Sequence, residues 1–136
     1  MRYLLDTCVV SDFVKGEPNT LKRLKAIAPS QIAISSITAM ELRYGLVINP
    51  QRAIKIQPLI TEFIDSVTIL DFTIREAEQS AQIRGLLKQA GTPIGAYDVL
   101  IGATAITYGL ILVTANVREF ERIANLQIEN WRDSKS

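Results

Sequence analysis

The chain has 136 residues, with 15 Lys and Arg against 14 Asp and Glu, one Cys and no His. Its length fits one domain of roughly 100–200 residues, and a composition of 48% hydrophobic and 21% charged residues excludes a disordered chain. With no His there is no Ser-His-Asp triad and no HExxH helix, and with one Cys no zinc ribbon, CxxC pair or internal disulfide, so hydrolytic chemistry falls to carboxylates, hydroxyls, Lys, Arg or a hard cation held by oxygens.

Arg2–Leu5 reads as a short apolar strand ended by Asp6, and a break this early excludes a signal-peptide core. Pro18-Asn19 opens a basic amphipathic helix, Thr20–Ala28, which Pro29 stops. Gln31–Ile34 is a second strand, and Ser35-Ser36 caps a helix running to Ile48 before Asn49-Pro50. The next helix covers Gln51–Ile64, with a kink expected at Pro58. Its apolar residues Ile54, Ile56, Leu59, Ile60 and Phe63 exceed one core-facing stripe, which suits either a helix covered by another chain or core plus a dimer contact. Val67–Leu70 is a third strand. Thr73-Ile74-Arg75-Glu76 is a capping box that starts a helix to Ala90, with Gly91 just past its end. Tyr97–Tyr108 is a nearly all-apolar helix ended by Gly109, and Leu110–Thr114 is the most buried strand. A short helix over Arg118–Ala124 and a last strand, Gln127–Asn130, precede Trp131, which is expected to close the core before the tail frays.

Short strands alternating with helices predict a small parallel sheet between two helical layers, an α/β/α architecture in a single domain over residues 1–136. The stretch Val99–Thr114 is interrupted by Gly, Thr and Tyr and falls short of the roughly 20 residues a membrane span requires. With the isolated Cys, this predicts a soluble cytoplasmic protein with no membrane association.

Ligands of such sheets bind beyond the carboxyl ends of the strands, an edge that collects Asp6, Ser35-Ser36 and Thr114–Asn116. Three carboxylates stand in apolar surroundings: Asp6 directly after Tyr3-Leu4-Leu5, Glu41 on a helix face with Ile37, Tyr44 and Ile48, and Asp98 as the one charge between Pro93 and Arg118. Burying an unpaired carboxylate is costly. Taken singly, Asp6 could cap the following short helix, Glu41 could pair with a distant cation, and Asp98 could be a first-turn acid favoured by the helix dipole. One divalent cation accounts for all three. Thr7 and Thr114 can orient water beside it, and Asn116 and Glu119 compete as the fourth member of the cluster. Cys8, flanked by apolar residues, reads as a small buried hydrophobe.

The segments Leu4-Leu5-Asp6-Thr7, Ser-Ser-Ile-Thr-Ala-Met-Glu41-Leu-Arg-Tyr-Gly, Pro-Ile-Gly-Ala-Tyr-Asp98 and Thr114-Ala-Asn116-Val-Arg-Glu119-Phe resemble, in order, those of PIN-domain nucleases, most closely the VapC-type toxins of bacterial type II toxin–antitoxin systems. The resemblance runs from Tyr3 to Trp131. It implies a PIN-like fold, Asp6, Glu41 and Asp98 as an acidic core binding Mg²⁺ or Mn²⁺, endonucleolytic cleavage of RNA, a homodimer, and a cognate VapB-type antitoxin. The Pro93–Asp98 segment resembles the branch that cuts initiator tRNA, which implies a tRNA substrate. Two departures are Cys8, where the family often has Asn, and Asn116, where many relatives have Asp.

Carboxylates holding a hard cation polarise a phosphate, and a carboxylate such as Asp98 or Glu41, or the cation's own water, then handles the proton. In-line attack by water leaves a 5′-phosphate and a 3′-hydroxyl. The net charge of +1 is modest, but without the three site acids 15 basic residues face 11 acidic ones. Arg43, two residues from Glu41, is the candidate RNA contact, while Lys22–Lys25 reads as a solvated face. A haloacid-dehalogenase-type phosphatase requires a second Asp where Cys8 stands, and a receiver domain requires paired acids there. A non-catalytic PIN-like module that binds RNA or protein is the alternative, favoured by Asn116 and opposed by the intact Asp6, Glu41 and Asp98.

Overall fold

Neighbouring side chains on a strand point to opposite faces, and Leu4 and Leu5, both 0% exposed, accordingly begin two separate cores. They belong to β1 (Tyr3–Leu5), the middle strand of a five-stranded sheet in a computed structural model that describes residues 1–133. In chain order follow α1 (Thr7–Lys15), α2 (Pro18–Ala26), β2 (Ile32–Ser35), α3 (Ser36–Ile48), α4 (Pro50–Ser66), β3 (Thr68–Leu70), α5 (Ile74–Gln89), α6 (Ala96–Tyr108), β4 (Ile111–Val113), α7 (Val117–Phe120) and β5 (Ile128–Glu129). The strand order is β3-β2-β1-β4-β5 and every pairing is parallel, with Leu4 beside Ala33 on one flank and Leu112 on the other.

One core packs Leu4, Ala33 and Leu112 against Ile83 and Leu87 of α5 and the buried face of α6, with Phe120 and Ile123 beyond. The other packs Leu5, Ile34 and Val113 against Val9 and Val10 of α1, Leu42 of α3 and Ile60 and Phe63 of α4. These are the three layers expected of the alternating pattern. Among the described residues no helix is long and apolar enough to cross a membrane.

Local chemistry fixes the element ends. Ser35 Oγ accepts from the Ile37 N–H at 2.9 Å and caps α3, while the Thr73 N–H donates to the Glu76 carboxylate at 2.8 Å at the start of α5. Gly91 and Gly109 follow α5 and α6 with φ of 71° and 65°, the left-handed values that end a helix with little strain only at glycine.

Several boundaries differ from the sequence reading. The short helix expected after Asp6 is the nine-residue α1. The next helix begins at Pro18, because Glu17 takes the N–H of Thr20 at 2.7 Å and caps it earlier, and it ends at Ala26. The predicted Arg118–Ala124 helix is confined to Val117–Phe120. Beyond it the N–H groups of Arg122 and Ile123 turn to the carbonyls of Glu119 and Phe120, at 3.1 and 3.0 Å, and the chain leaves through Asn125 at positive φ. Glu41 does not share a buried face with Tyr44 and Ile48, which are 59% and 62% exposed. The apolar residues of α4 divide, with Ile60 and Phe63 buried, Ile56 half-buried, and Ile54 and Leu59 exposed. Trp131 closes the core as expected, but Arg132 after it is tied to Asp12 by two short bonds, so the expected fraying does not begin there. Residues 134–136 of that tail lie outside the described residues.

Candidate active site

β1 ends at Leu5 in the middle of the sheet, so the next side chain emerges at the carboxyl edge between β2 and β4. Asp6 occupies that position and is 6% exposed. One oxygen accepts from the Thr7 N–H at 2.8 Å and caps α1, and the other accepts from the Thr114 hydroxyl at 2.8 Å and more weakly from the Cys8 thiol at 3.5 Å. Capping and site placement are therefore not alternatives for Asp6, since its two oxygens divide the tasks. Thr114, fully buried just past β4, also accepts from the Asn116 N–H at 3.0 Å, which turns the chain toward α7.

Glu41 lies in the second turn of α3. Thr7 Oγ1 donates to it at 2.7 Å and lies 3.4 Å from the hydroxyl of Thr38, a site-edge residue that the sequence reading passed over. Glu41 forms no ion pair among the described residues, and the pairs Arg23–Glu129 and Arg132–Asp12 do not touch the candidate acids.

Asp98 stands in the first turn of α6. A Cβ built on Gly95 would lie 3.2 Å from its Oδ2, so the carboxylate folds back over the start of the helix in space that a glycine leaves open. Its pKa is pushed up to about 7, first by burial, then by a hydrogen bond shared with Glu119, then by the negative charges of Asp6, Glu119 and Glu41. Glu119 in turn accepts from Asn116 Nδ2 at 3.1 Å. The two candidates for fourth member are thus linked, with Asn116 holding Glu119 and Glu119 meeting Asp98. At Gly102, on the face of α6 toward this turn, a Cβ would stand 2.7 Å from Ile123 Cδ1, so a larger residue there would require the Ile123 side chain to shift.

Cys8 is half-buried and not simply a core hydrophobe. Its thiol faces Asp6 and Thr114, and burial followed by the Asp6 charge raises its pKa, which keeps it a neutral donor. Arg43 is exposed and lines an α3–α4 groove with Leu46, Val47 and Ile54 instead of pairing with the acids. The arrangement is one of oxygen donors with excess negative charge and neutral supports, suited to a hard cation. Among the described residues no three carboxylate, thiol or imidazole groups are drawn into a ready-made metal cage.

Comparison with known proteins agrees with this geometry. The PIN domain family model matches residues 3–126. A Salmonella typhimurium protein described as a tRNA(fMet)-specific endonuclease VapC is 37% identical over 133 residues, covering 96% of this chain and 98% of its own. A Haemophilus influenzae ribonuclease VapC2 is 39% identical over 134 residues with the same coverage. Among solved structures, DNA-bound VapBC from Salmonella typhimurium contains a chain that superposes with a TM-score of 0.88 at 36% identity, covering 96% of this chain and 98% of that one. VapBC2 from Rickettsia felis bound to a promoter DNA fragment gives 0.87 at 34%, covering 96% and 99%. The chain belongs to the PIN-domain family and, within it, to the VapC ribonucleases.

Proposed function

We propose that the protein is the endoribonuclease toxin of a toxin–antitoxin pair, hydrolysing RNA phosphodiester bonds in the cytoplasm with a divalent cation held by Asp6, Glu41 and Asp98. The observation that carries the reading is the convergence of four acids at one edge of the sheet: burial first, then a hydrogen bond with Glu119 and the charges of Asp6, Glu119 and Glu41, raises the Asp98 pKa to about 7, and none of the four is in an ion pair among the described residues. Such an excess of negative charge costs folding energy unless a cation joins it.

Bound there, Mg²⁺ or Mn²⁺ would supply polarisation of the scissile phosphate and a more acidic water. The chain's own residues do the rest. Thr7 and Thr114 orient Glu41 and Asp6 through bonds of 2.7 and 2.8 Å. Asn116 aims Glu119 toward Asp98. With no His in the chain, a carboxylate of this group accepts the proton of the attacking water. The products are a 5′-phosphate and a 3′-hydroxyl.

Initiator tRNA is the proposed substrate, supported by the Pro93–Asp98 segment and by the description of the Salmonella typhimurium relative. A VapB-type antitoxin is the proposed inhibitor, supported by the VapBC assemblies of similar structures. A homodimer is proposed too. Tyr44, Val47 and Ile48 on α3 and Ile54 on α4, all more than half exposed, give these partners apolar surface to cover. Induced alone, the wild-type chain should arrest growth and cut tRNA(fMet), and Asp6→Ala should do neither. Equal, undisturbed growth with both proteins would overturn the reading.

A further inference from the structure

An acidic mouth repels the backbone of the RNA it is to cut, so the substrate has to be drawn in by charge placed beside the acids. Between α5 and α6 runs an open groove of about 680 Å³, floored by Leu87 and Val99 and lined also by Ala96 and Tyr97, the two residues that precede Asp98 in the chain. Two cations line it, Arg84 and Lys88, and no acid does. They stand four residues apart on α5, hence on one face of the helix. Neither makes an ion pair or a side-chain hydrogen bond among the described residues. Tyr97, 51% exposed, adds an aromatic side chain to the lining and directly precedes Asp98 in the chain.

We propose that this groove is the track along which the RNA strand reaches the acids, its phosphates held by Arg84 and Lys88 and a base stacked on Tyr97. The inference rests on the ribonuclease reading and specifies how that site takes its substrate. Cations spaced along a groove with an aromatic platform are the general means of holding a single strand without reading its sequence. A protein segment seated there would bury two positive charges unless it carried acids matched to them, whereas a phosphate chain supplies a counter-charge at each step.

Binding of a fluorescein-labelled RNA stem-loop, measured by anisotropy in EDTA, tests this without turnover. Arg84→Gln combined with Lys88→Gln should raise Kd about tenfold or more and lower the slope of log affinity against log salt by roughly 1.4, about 0.7 for each lost phosphate contact. Tyr97→Ala should raise Kd about tenfold, with Tyr97→Phe restoring it, because stacking requires the ring and not the hydroxyl. Lys55→Gln on α4 should change nothing. In saturating RNA with Mn²⁺ the variants should keep kcat within about twofold, as expected for lost uniform binding. Wild-type protein that cuts RNA while the variants bind as tightly as it does would overturn the groove alone. So would variants that lose self-association in sedimentation with RNA affinity unchanged, which would assign the groove to a protein contact. Wild-type protein that binds RNA through these residues but never cuts it would overturn the ribonuclease reading and leave the groove standing.

Discussion

Asp6 caps α1 and Asp12 lies within it, and both are 6% exposed, but they are partnered in opposite ways. Asp12 receives two charged bonds from Arg132, at 2.6 and 2.7 Å. Nearby, Arg23 pairs with Glu129 at 2.9 Å, the Trp131 indole donates to the same carboxylate at 3.0 Å, and Trp131 meets the Tyr3 ring edge-on. Asp12 and Glu129 are each matched by an arginine, and the result is a clasp holding Glu129–Arg132 to α1 and α2. Asp6 receives only neutral donors and looks toward Glu41, Asp98 and Glu119. Burial alone does not mark a working acid. The distinction lies in whether the fold supplies its counter-charge or leaves that to something bound.

Substitutions can break this contrast. The largest effect is expected at the unmatched acids: Asp98→Asn should lower RNA cleavage by about 10²–10³-fold or more, as when a group stabilising the transition state is removed, and leave the metal-free fold intact by circular dichroism. Asp12→Asn should do the reverse. Its cost is roughly 1–3 kcal/mol of stability, because Arg132 is left with a neutral partner, while cleavage by the folded fraction at low temperature should match wild type. Gly95→Ala sharpens the comparison further. Gly95 has φ of −55°, which alanine adopts without strain, but the new Cβ must displace the Asp98 carboxylate by a few tenths of an ångström. A loss of about tenfold in kcat is expected with no fall in melting temperature. A drop in melting temperature equal to that of Asp12→Asn would show that Asp98 supports the fold.

The smallest effect concerns pH. Asp98 has its pKa raised from an unfolded value near 3.8 to about 7, so the proton it retains stabilises the metal-free protein fully below the unfolded value, and that contribution fades as pH rises through 7. Asp98→Asn has no such dependence. In chelator, its melting temperature should exceed that of wild type by more at pH 8 than at pH 5, a difference of a few degrees at most because the group is partly solvated. A gap that closes as pH rises would contradict the assigned sign.

The same contrast explains what the sequence disclosed. Asp6, Glu41 and Asp98 were legible because each interrupts apolar residues at the start or end of an element, where an acid needs a reason. The order of strands and helices was legible from local signals: Ser35, the Thr73–Glu76 pair, Gly91 and Gly109. The clasp was not, because Asp12 and Arg132 are separated by 120 positions and each resembles an ordinary surface charge in isolation. The link from Asn116 through Glu119 to Asp98 was hidden for a related reason. It depends on how closely α7 approaches α6, which no local pattern announces. Cys8 read as a hydrophobe because its neighbours are apolar, and only the fold turns its thiol toward Asp6.

The central claim is that the unmatched acids are completed by a divalent cation for RNA cleavage. The direct test is cleavage of tRNA by purified chain stripped with chelator, then supplied with Mn²⁺ or Mg²⁺, beside Asp98→Asn treated identically. No cleavage by the stripped protein, recovery on adding either ion, and a recovery weaker by about 10²-fold or more from Asp98→Asn is the predicted result. Full cleavage by protein shown to be metal-free, or undiminished cleavage by Asp98→Asn, would contradict it.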